Sequence, residues 1–342
     1  MKQINYKTFS FKAHLDNMAL GRPNTCQLDI TYGCGLRCVH CYVAGYNRKE
    51  ALARELSVGD FKKIVDKLKA LGVLWICFSG GDPLARKDFI ELYRYAYQRG
   101  FLVTVFTGGY FLSDEHIALF KEQPPFCVEI TLNAVEEGLY ENISGVKGSF
   151  AKAIAAIEKL KQARIPLKLK AVVMTLNFSH LKALGDYARR MRLSLTLDYS
   201  LHAGLNQDLR PLAFRIPPED VARTFGCPGL TLKGPAPFVD GPLFTCNMAG
   251  GDALYIDPYG DIALCPLIRK PKINALRGDL KRVFTGVVEH YKSLDFKTDS
   301  LCKRCVSRDH CGWCPGAAYA ETASLEEPLE YCCSRSGKRK HA

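Results

Sequence analysis

The sequence has no long apolar run and no apolar segment at its start. No uninterrupted hydrophobic stretch reaches the ~18 residues that a transmembrane helix requires. The opening residues, MKQINY, lack the apolar core of an export signal. These two absences argue against a membrane protein and against a secreted one. They predict a cytoplasmic protein that has no membrane partner.

Cysteine, in contrast, is abundant, with 15 residues in a chain of 342. Cytoplasmic thiols stay reduced, so this number favours metal or cluster binding over disulfides. Three of them, Cys34, Cys38 and Cys41, form a C-x3-C-x2-C run. A cubane iron–sulfur cluster normally takes four thiolates, so three would leave one iron with an open position for chemistry. A zinc site or a chance grouping is the alternative, although the sequence has no second C-x2-C half close by.

Between residues 25 and 200, short apolar runs alternate with segments of helical periodicity. Ile64, Leu68 and Leu71, for example, fall on one face of a helix. Six βα repeats predict a parallel sheet with helices outside it, and the cysteine run follows the first strand, at the edge where α/β enzymes place their active sites. The expected strands are 26–31, 73–79, 101–107, 126–132, 166–175 and 193–199, and the expected helices are 57–71, 86–99, 113–122, 150–163 and 179–191.

Polar residues and glycines follow the carboxyl ends of the later strands. The second strand runs into Ser79, Gly80, Gly81 and Asp82, and paired glycines let a backbone approach a small ligand closely. Polar groups at these ends are more often functional than structural in such barrels, although a satisfied buried Asn or Thr is the alternative for each. The further candidates are Thr107, Thr131, Asn133, Lys170 and Asp198.

The cysteine run, with the glycine turn one βα unit later, resembles a radical S-adenosylmethionine (SAM) enzyme. The resemblance implies a partial (β/α)6 TIM-like barrel and a 4Fe–4S cluster on Cys34, Cys38 and Cys41, whose open iron chelates the methionine moiety of SAM. His40 stands where the family often has an aromatic residue and could pack against adenine. The family's arginine after the fourth strand is not evident in 142–148. The SAM contacts that the resemblance implies are Ser79, Gly80, Gly81, Asp82, Thr107, Thr131, Asn133 and Lys170.

Cysteines return after residue 225, where they surround a predicted hairpin. Two extended runs flank the turn at 257–260, and the second run ends at Cys265. This tail resembles the SPASM extension of radical SAM enzymes, although the spacing before Cys314 is one residue shorter than in the family. The resemblance implies two auxiliary 4Fe–4S clusters. The first would take Cys246, Cys265 and Cys314, with Cys227 as a candidate fourth ligand, and the second would take Cys302, Cys305, Cys311 and either Cys332 or Cys333.

Other roles are open for several of these residues. C-x2-C pairs also bind structural zinc, which is the alternative for the tail. Cys26, Cys77 and Cys127 lie on apolar strands and are expected to be inert core thiols, unless one donates a hydrogen atom in an epimerisation. A catalytic base is not identified by the sequence. Asp198, Asp257 and Asp261 are candidates, each with an ordinary turn or strand-end role as the alternative.

The pattern divides the chain into an N-terminal extension (1–24), the barrel (25–200), a connector (201–225), a cysteine-rich domain (226–335) and a basic tail (336–342) that is expected to be disordered. The formal net charge is +12. Such a charge could attract an acidic peptide or a nucleic acid. Because the Lys and Arg residues are scattered, a generally basic surface is favoured, with no nucleic-acid partner.

The resemblance also implies an activity. Reductive cleavage of SAM would give a 5′-deoxyadenosyl radical that abstracts a hydrogen atom from the substrate. Enzymes with such a tail mostly modify peptides, so an oxidative peptide modification such as a cross-link is expected, with a flavodoxin or ferredoxin as electron donor. Only about 25 residues precede the first strand, so a separate leader-binding protein is a possible partner. The alternatives are a haem-pathway-like decarboxylase, a peptide epimerase and a non-enzymatic, zinc-stapled binding module.

Overall fold

The computed structural model of the chain describes residues 5–218, 220, 231–233, 243, 244, 246, 250–305 and 312–335. Cys227, Cys311 and the basic tail 336–342 lie outside the described residues, as do 219 and 221–225 of the predicted connector.

Ten strands form one sheet in the order β10-β9-β8-β1-β2-β3-β4-β5-β6-β7. From β1 to β7, each strand pairs in parallel with the next. This arrangement confirms the predicted α/β fold, a partial barrel with six βα repeats. The strands are β1 (Thr25–Thr31), β2 (Trp75–Gly80), β3 (Leu102–Thr107), β4 (Cys127–Thr131), β5 (Leu167–Val172), β6 (Leu195–Asp198), β7 (Thr231–Lys233), β8 (Ala253–Ile256), β9 (Asp261–Ala263) and β10 (Ile273–Asn274).

The five predicted helices of the barrel are all present. Three other helices before residue 200 were not predicted: α1, in the N-terminal extension, has no buried residue, and α2 and α6 are only 4 and 8 residues long. The helices are α1 (Tyr6–Ala19), α2 (Lys49–Leu52), α3 (Val58–Leu71), α4 (Phe89–Gln98), α5 (Asp114–Glu122), α6 (Glu137–Ser144), α7 (Ser149–Gln162), α8 (Leu181–Met191), α9 (Leu280–Ser293), α10 (Pro315–Thr322) and α11 (Glu330–Arg335).

The fifth strand ends three residues before its predicted end, and the side chain of Asn177 explains why. Its Oδ1 accepts a hydrogen bond from the Met174 N–H at 2.8 Å, and its Nδ2 donates to the carbonyl of Val172 at 2.9 Å. An asparagine that binds nearby backbone groups in this way stabilises a turn. The β-branched residues around position 173 predict a longer strand, but this local turn ends it at Val172.

Successive side chains of the strands point alternately to a face that packs against the helices and to a face that lines the barrel. Cys26, Leu28 and Ile30 of β1 belong to the same core cluster as Phe61 and Ile64 of α3. The intervening residues of β1 face the other way and pair across the sheet, Gln27 with Cys77 and Asp29 with Ser79. The sheet therefore carries polar side chains on the face that the helices leave open.

The predicted hairpin of the tail is present and joins the barrel sheet directly. Strands β8 and β9 pair antiparallel around the turn, and β8 also pairs in parallel with β1, so that Tyr255 lies opposite Gln27. Leu254, Phe284 and Trp313 of the tail belong to the same core cluster as the barrel. The predicted domain boundary at residue 226 stays a prediction. The sheet and the core extend across it.

Among the described residues, no helix is both long enough and apolar enough to cross a membrane.

Candidate metal and cofactor site

The cysteine loop begins where β1 ends, and four hydrogen bonds hold its position. Glu55 Oε1 accepts hydrogen bonds from the Tyr32 N–H at 2.7 Å and from the Thr31 hydroxyl at 3.1 Å. Farther along the loop, the N–H of Arg37 donates to the carbonyl of Ser144 at 2.8 Å, and that of Val39 donates to Ile143 at 3.0 Å. The loop is therefore fixed at its start by the segment before α3 and at its middle by the end of α6.

The three thiols of this loop lie close enough to influence one another. Burial raises the pKa of Cys34 to about 12, and Asp82 and Cys41 raise it further. Burial also raises the pKa of Cys38, with Cys41 and then Cys34 as additional causes. Ionised thiols at this position therefore require a positive charge, which a bound metal group supplies when it displaces the thiol protons.

The sulfur atoms of the loop accept hydrogen bonds from backbone N–H groups. The N–H of Leu36 donates to Cys34 Sγ at 3.4 Å. The N–H groups of Val43 and Ala44 do the same for Cys41, which lowers its pKa against the larger raising effect of burial. Hydrogen bonds to sulfur are one of the means by which proteins tune iron–sulfur clusters. The donor set thus fits a cluster, in which each sulfur is a thiolate ligand.

The two glycines after β2 lie against the cysteine loop. The N–H of Gly81 donates to the Thr31 carbonyl at 2.8 Å, and the N–H of Asp82 donates to the Gly33 carbonyl at 2.9 Å. A Cβ on Gly80 would lie 2.0 Å from the Thr31 oxygen, and one on Gly81 would lie 2.5 Å from the Gly33 oxygen. The close approach that these glycines permit is to the backbone of the loop. Their contact with SAM stays a prediction.

Asp82 and Thr107, both predicted SAM contacts, bind each other. The Thr107 hydroxyl donates to the Asp82 carboxylate at 2.9 Å, and the N–H groups of Gly108 and Leu84 each donate to it at 3.0 Å. The Asp82 side chain is buried, and burial raises its pKa to about 6. These bonds join the turns after β2 and β3. A role for these side chains in binding SAM is not tested by the geometry.

The other predicted contacts lie on β2, β4 and β5 or, for Asn133, just after β4. Ser79 is buried on β2, and Thr131 at the end of β4 lies opposite Lys170 of β5. Lys170 Nζ lies 3.3 Å from an oxygen of Asp198 on β6, and both side chains are partly exposed. Asn133 is also buried, and its Oδ1 accepts a hydrogen bond from the Val172 N–H at 2.9 Å. Lys170 and Asp198 therefore form a charged pair at the mouth of the barrel, whereas the Asn133 oxygen connects β4 to β5.

His40, between the second and third cysteines of the loop, is held neutral. Burial lowers its pKa to about 4, and the charge of Lys170 lowers it further. Its Nδ1 atom is enclosed and has no hydrogen-bond partner among the described residues. The neutral ring fits the flat aromatic contact that is expected for adenine, which stays a prediction.

In the tail, Cys246, Cys265 and Cys314 are brought together although 68 residues separate the first from the last. Burial raises the pKa of Cys265 to about 12, and Cys314 and Cys246 are further causes. The N–H of Leu267 donates to Cys265 Sγ at 3.4 Å. Cys314 precedes α10, where the N–H groups of Ala317 and Gly316 approach its sulfur. The grouping is the one that was predicted for the first auxiliary cluster.

For the second auxiliary cluster, the structure describes four of the candidate ligands. Cys302 and Cys332 are buried, and Cys305 and Cys333 are half-buried. Cys311 lies outside the described residues, as does Cys227. Among the residues that the structure describes, no three His, Cys, Asp or Glu side chains are placed to hold a single metal ion. The ligands of a cubane are distributed around four irons and do not converge on one point.

The remaining thiols behave differently from the candidate ligands. Cys26, Cys77 and Cys127 direct their S–H groups at neighbouring backbone carbonyls, with the shortest contact at 3.4 Å for Cys127. Burial raises the pKa of Cys26 and of Cys77 well above the usual range. A sulfur that donates is a neutral thiol. These contacts, with the burial of the thiols, favour the interpretation of all three as core thiols.

The candidate bases divide by environment. Asp257 Oδ1 accepts the N–H groups of Tyr259 and Asp261 at 2.9 Å, which are bonds within the hairpin turn. Asp261 accepts a hydrogen bond from Asn274 Nδ2 at 3.3 Å, also within the hairpin region. Asp198 ends β6, where its Oδ1 accepts the Ser200 N–H at 3.0 Å and its Oδ2 lies 3.3 Å from Lys170 Nζ.

Sequence reasoning missed a polar cluster between the two groups of cysteines. Tyr255 of β8 donates its hydroxyl to Asp29 of β1 at 2.7 Å, and the hydroxyl groups of Tyr255 and Tyr32 lie 2.9 Å apart. Arg269 donates to the Tyr32 hydroxyl. The adjacency of Tyr32 to the loop is the only signal in the sequence, and a tyrosine there is equally compatible with simple packing.

A family model described as the radical SAM superfamily matches residues 28–188. The AdoMet-dependent heme synthase of Methanosarcina barkeri is 22% identical over 349 residues, which cover 93% of this chain and 98% of that protein. The mycofactocin maturase MftC of Mycolicibacterium smegmatis is 29% identical over 332 residues, which cover 92% of this chain and 83% of that protein.

Among solved structures, Streptococcus suis SuiB bound to S-adenosylmethionine covers 97% of this chain and 84% of its own, at 17% identity and a TM-score of 0.72. SuiB bound to its precursor peptide SuiA covers 97% of this chain and 82% of its own, at 18% identity and a TM-score of 0.68. At these identities the likeness shows a shared fold.

Proposed function

Residues 28–188 form a radical SAM domain, and from that premise we propose that the chain cleaves SAM reductively and uses the product to modify a peptide oxidatively. The observation that carries the proposal is the grouping of Cys34, Cys38 and Cys41 at the carboxyl end of β1. Their sulfurs influence one another, and the loop that carries them is fixed against the turn at Gly80 and Gly81.

The residues of the chain would hold, orient and enclose the reacting groups. The three loop thiolates would bind a 4Fe–4S cluster, and the predicted contacts from Ser79 to Lys170 would position SAM at the barrel mouth. A bound, reduced cluster supplies the electron that cleaves SAM to methionine and a 5′-deoxyadenosyl radical, which takes a hydrogen atom from the substrate. Asp198, which pairs with Lys170, would be the candidate base for a proton from the substrate.

The tail would hold the auxiliary clusters. The grouping of Cys246, Cys265 and Cys314 supports the first of them, because burial and their mutual influence both act on the Cys265 thiol. The second would take Cys302, Cys305, Cys311 and one of Cys332 and Cys333. Clusters in this position would accept the electron that remains after oxidation of the substrate. A flavodoxin or ferredoxin in the cytoplasm would supply the electron that begins each cycle.

A peptide substrate is supported by the relatives. The maturase MftC aligns over 92% of this chain, and a structure of the same fold has been solved with a precursor peptide bound. A separate leader-binding protein belongs to the same proposal. A second candidate is favoured by one observation, since the heme synthase aligns over 98% of its own length. In that case the substrate would be a small molecule such as a porphyrin.

The first prediction concerns the cysteine loop. Anaerobically reconstituted protein, incubated with SAM and dithionite, should release 5′-deoxyadenosine, measured by liquid chromatography. A variant with Cys34→Ala, Cys38→Ala and Cys41→Ala should release none, because the thiolates that hold the cluster are gone, yet it should keep the iron of the tail. Cys127→Ala is the matched control, since it removes a thiol that donates to a carbonyl.

Mössbauer spectroscopy and metal analysis on the same proteins test the tail. We expect three cubane clusters in the unmodified protein and two in the triple variant. Zinc in place of iron in the tail would contradict the auxiliary clusters, and failure to form 5′-deoxyadenosine would contradict the enzyme. Two parallel incubations then separate the substrate classes, one with a short peptide encoded beside the gene and one with an iron porphyrin. Mass spectrometry shows which of the two compounds loses hydrogen.

A further inference from the structure

Arg269 lies in the same turn as a candidate ligand of the tail. The chain reverses after Cys265, with the N–H of Leu267 donating to the cysteine sulfur and the N–H of Ile268 donating to the Cys265 carbonyl at 3.2 Å. Arg269 follows directly, four residues beyond Cys265. Four residues span at most about 14 Å, so its backbone is within that distance of the backbone of Cys265.

The side chain of Arg269 reaches away from the tail and into the cysteine loop of the barrel. Its guanidinium lies 5.2 Å from the ring centre of Tyr32 and 5.1 Å from that of Tyr46. It donates to the hydroxyl of Tyr32 and, at 3.3 Å, to that of Tyr255. Tyr32 is two residues before Cys34, and Tyr46 is five residues after Cys41. One arginine therefore contacts both ends of the loop that carries the three thiols.

Few opposite charges neutralise this guanidinium. Asp257 Oδ2 lies 3.5 Å from Arg269 Nη1 and is almost fully buried, as is Asp29 behind Tyr255. Burial raises the pKa of Asp29 to about 6 and raises that of Asp257 as well, so neither is an unusually strong acid. The arginine stays charged at any pH at which the protein is folded. Its side chain is 17% exposed, so water screens it only in part.

The influences on the pKa of Tyr42 indicate that the two groups of cysteines lie close to each other. Burial is the main cause that raises the pKa of its hydroxyl, but Asp29, Cys41 and Cys265 raise it further and Arg269 lowers it. The hydroxyl therefore lies within electrostatic reach of a loop thiol, a tail thiol and the guanidinium. The region between the two sites is packed with the rings of Tyr32, Tyr42, Tyr46 and Tyr255, which we call the tyrosine bridge, and its only cation among the described contacts is Arg269.

We propose that Arg269 tunes both metal groups at once, because its fixed charge lies in the tyrosine bridge between Cys34, Cys38 and Cys41 on one side and Cys265 on the other. The inference rests on the proposed function, since it concerns the clusters that these cysteines would hold. A positive charge near a cluster favours its reduced state and raises its reduction potential. Arg269 would act on the reaction only through the clusters, and it takes no part in the chemistry of the substrate.

The experiment is an anaerobic redox titration of the reconstituted protein, followed by electron paramagnetic resonance. Arg269→Gln should lower the potentials of the loop cluster and of the first tail cluster. At a fixed potential the ratio of reduced to oxidised cluster should fall about tenfold, which corresponds to about 59 mV for one electron. Arg269→Lys keeps a charge but not the planar fork, so a smaller shift is expected.

Two other variants make the result decisive. Asp257→Asn removes the carboxylate beside the guanidinium but keeps the oxygen that accepts the turn N–H groups, and it should shift both potentials upwards. Arg54→Gln is the matched control, since Arg54 also lies over a tyrosine, 4.9 Å from the ring centre of Tyr259, but is exposed to solvent. It should change the ratio by less than about twofold, because water screens its charge.

The outcomes separate this inference from the proposed function. If Arg269→Gln does not fold, the expected rise of both reduction potentials in Asp257→Asn still tests the proposal. Unchanged potentials in both variants, with normal cluster signals, would refute the role of Arg269 and leave SAM cleavage untouched. A protein without cluster signals at the loop would instead overturn the proposed function itself.

Discussion

At the scale of single residues, the best-determined position is Gly80. Its φ is +126°, a backbone conformation that a side chain rarely adopts, and a Cβ there would lie 2.0 Å from the Thr31 oxygen. The reason for the glycine is thus a contact between two backbones, the end of β2 and the start of the cysteine loop. The position of the candidate site depends on this contact.

Gly80→Ala should reduce the free energy of unfolding by about 3 kcal/mol, because both the strained φ and the clash must be relieved. The measurement is an anaerobic urea titration. Gly138→Ala is the control, since Gly138 lies in α6 with open space around its Cβ position, and alanine there should be neutral or stabilising by up to about 1 kcal/mol. Equal effects of the two substitutions would contradict the role of Gly80.

At the scale of elements, the tail is attached to the barrel by more than the pairing of β8 with β1. Lys67 of α3 donates to three backbone carbonyls, at 3.0 Å to Ala275, 2.7 Å to Leu276 and 2.9 Å to Gly278. These carbonyls follow β10, where the chain approaches α9. One ammonium group therefore satisfies three acceptors and fixes this loop against the barrel.

Lys67→Met keeps the aliphatic stem but removes the donor, so the three carbonyls lose their partner. We expect a loss of about 2 kcal/mol in the free energy of unfolding, since hydrogen bonds from a charged donor are worth more than neutral ones. Lys63→Met is the matched control on the same helix. Its side chain is 69% exposed and pairs with Asp60, so its removal should cost less than about 0.5 kcal/mol. A similar loss in both variants would argue against the three-carbonyl contact.

At the scale of the whole molecule, a largely enclosed ion pair connects the chain after β6 to the tail. Arg215 donates to both oxygens of Glu321, at 3.0 and 2.5 Å, and also to the carbonyl of Leu201 at 2.9 Å. The two side chains are 12% and 11% exposed. The guanidinium also lies over the ring of Tyr331 of α11, 4.7 Å from its centre. Residues more than a hundred positions apart are thereby held together.

Glu321→Gln should destabilise the protein by about 3 kcal/mol, because it leaves the Arg215 charge buried without its counter-ion. Replacing both residues, with Arg215→Met and Glu321→Gln, should restore part of this loss, which a double-mutant cycle measures. Glu122→Gln serves as control, since its pair with Arg94 is exposed and screened by water, so its loss should be much smaller. Additive effects of the Arg215 and Glu321 substitutions would contradict the coupling.

Much of the barrel follows from local pattern. Ile64, Leu68 and Leu71 recur at helical spacing, and all three are buried on α3. The parallel order of β1 to β6 follows because strands joined by helices cannot pair as hairpins. Strand β5 ends early, in contrast, because one asparagine side chain competes with the strand, and α1 was missed because it presents no buried face. In both cases the local sequence pattern is weak, and the structure depends on particular contacts.

The sequence by itself determined the donor set, with three thiols after β1 and a cysteine-rich tail around a hairpin, because thiol spacing and strand periodicity are local properties of the chain. Only the tertiary structure decided that Asp82 binds Thr107, that β8 continues the barrel sheet beside β1, and that Arg269 reaches Tyr32 across 237 positions of sequence. These contacts depend on how distant segments pack, and no periodicity records a contact between residues so far apart.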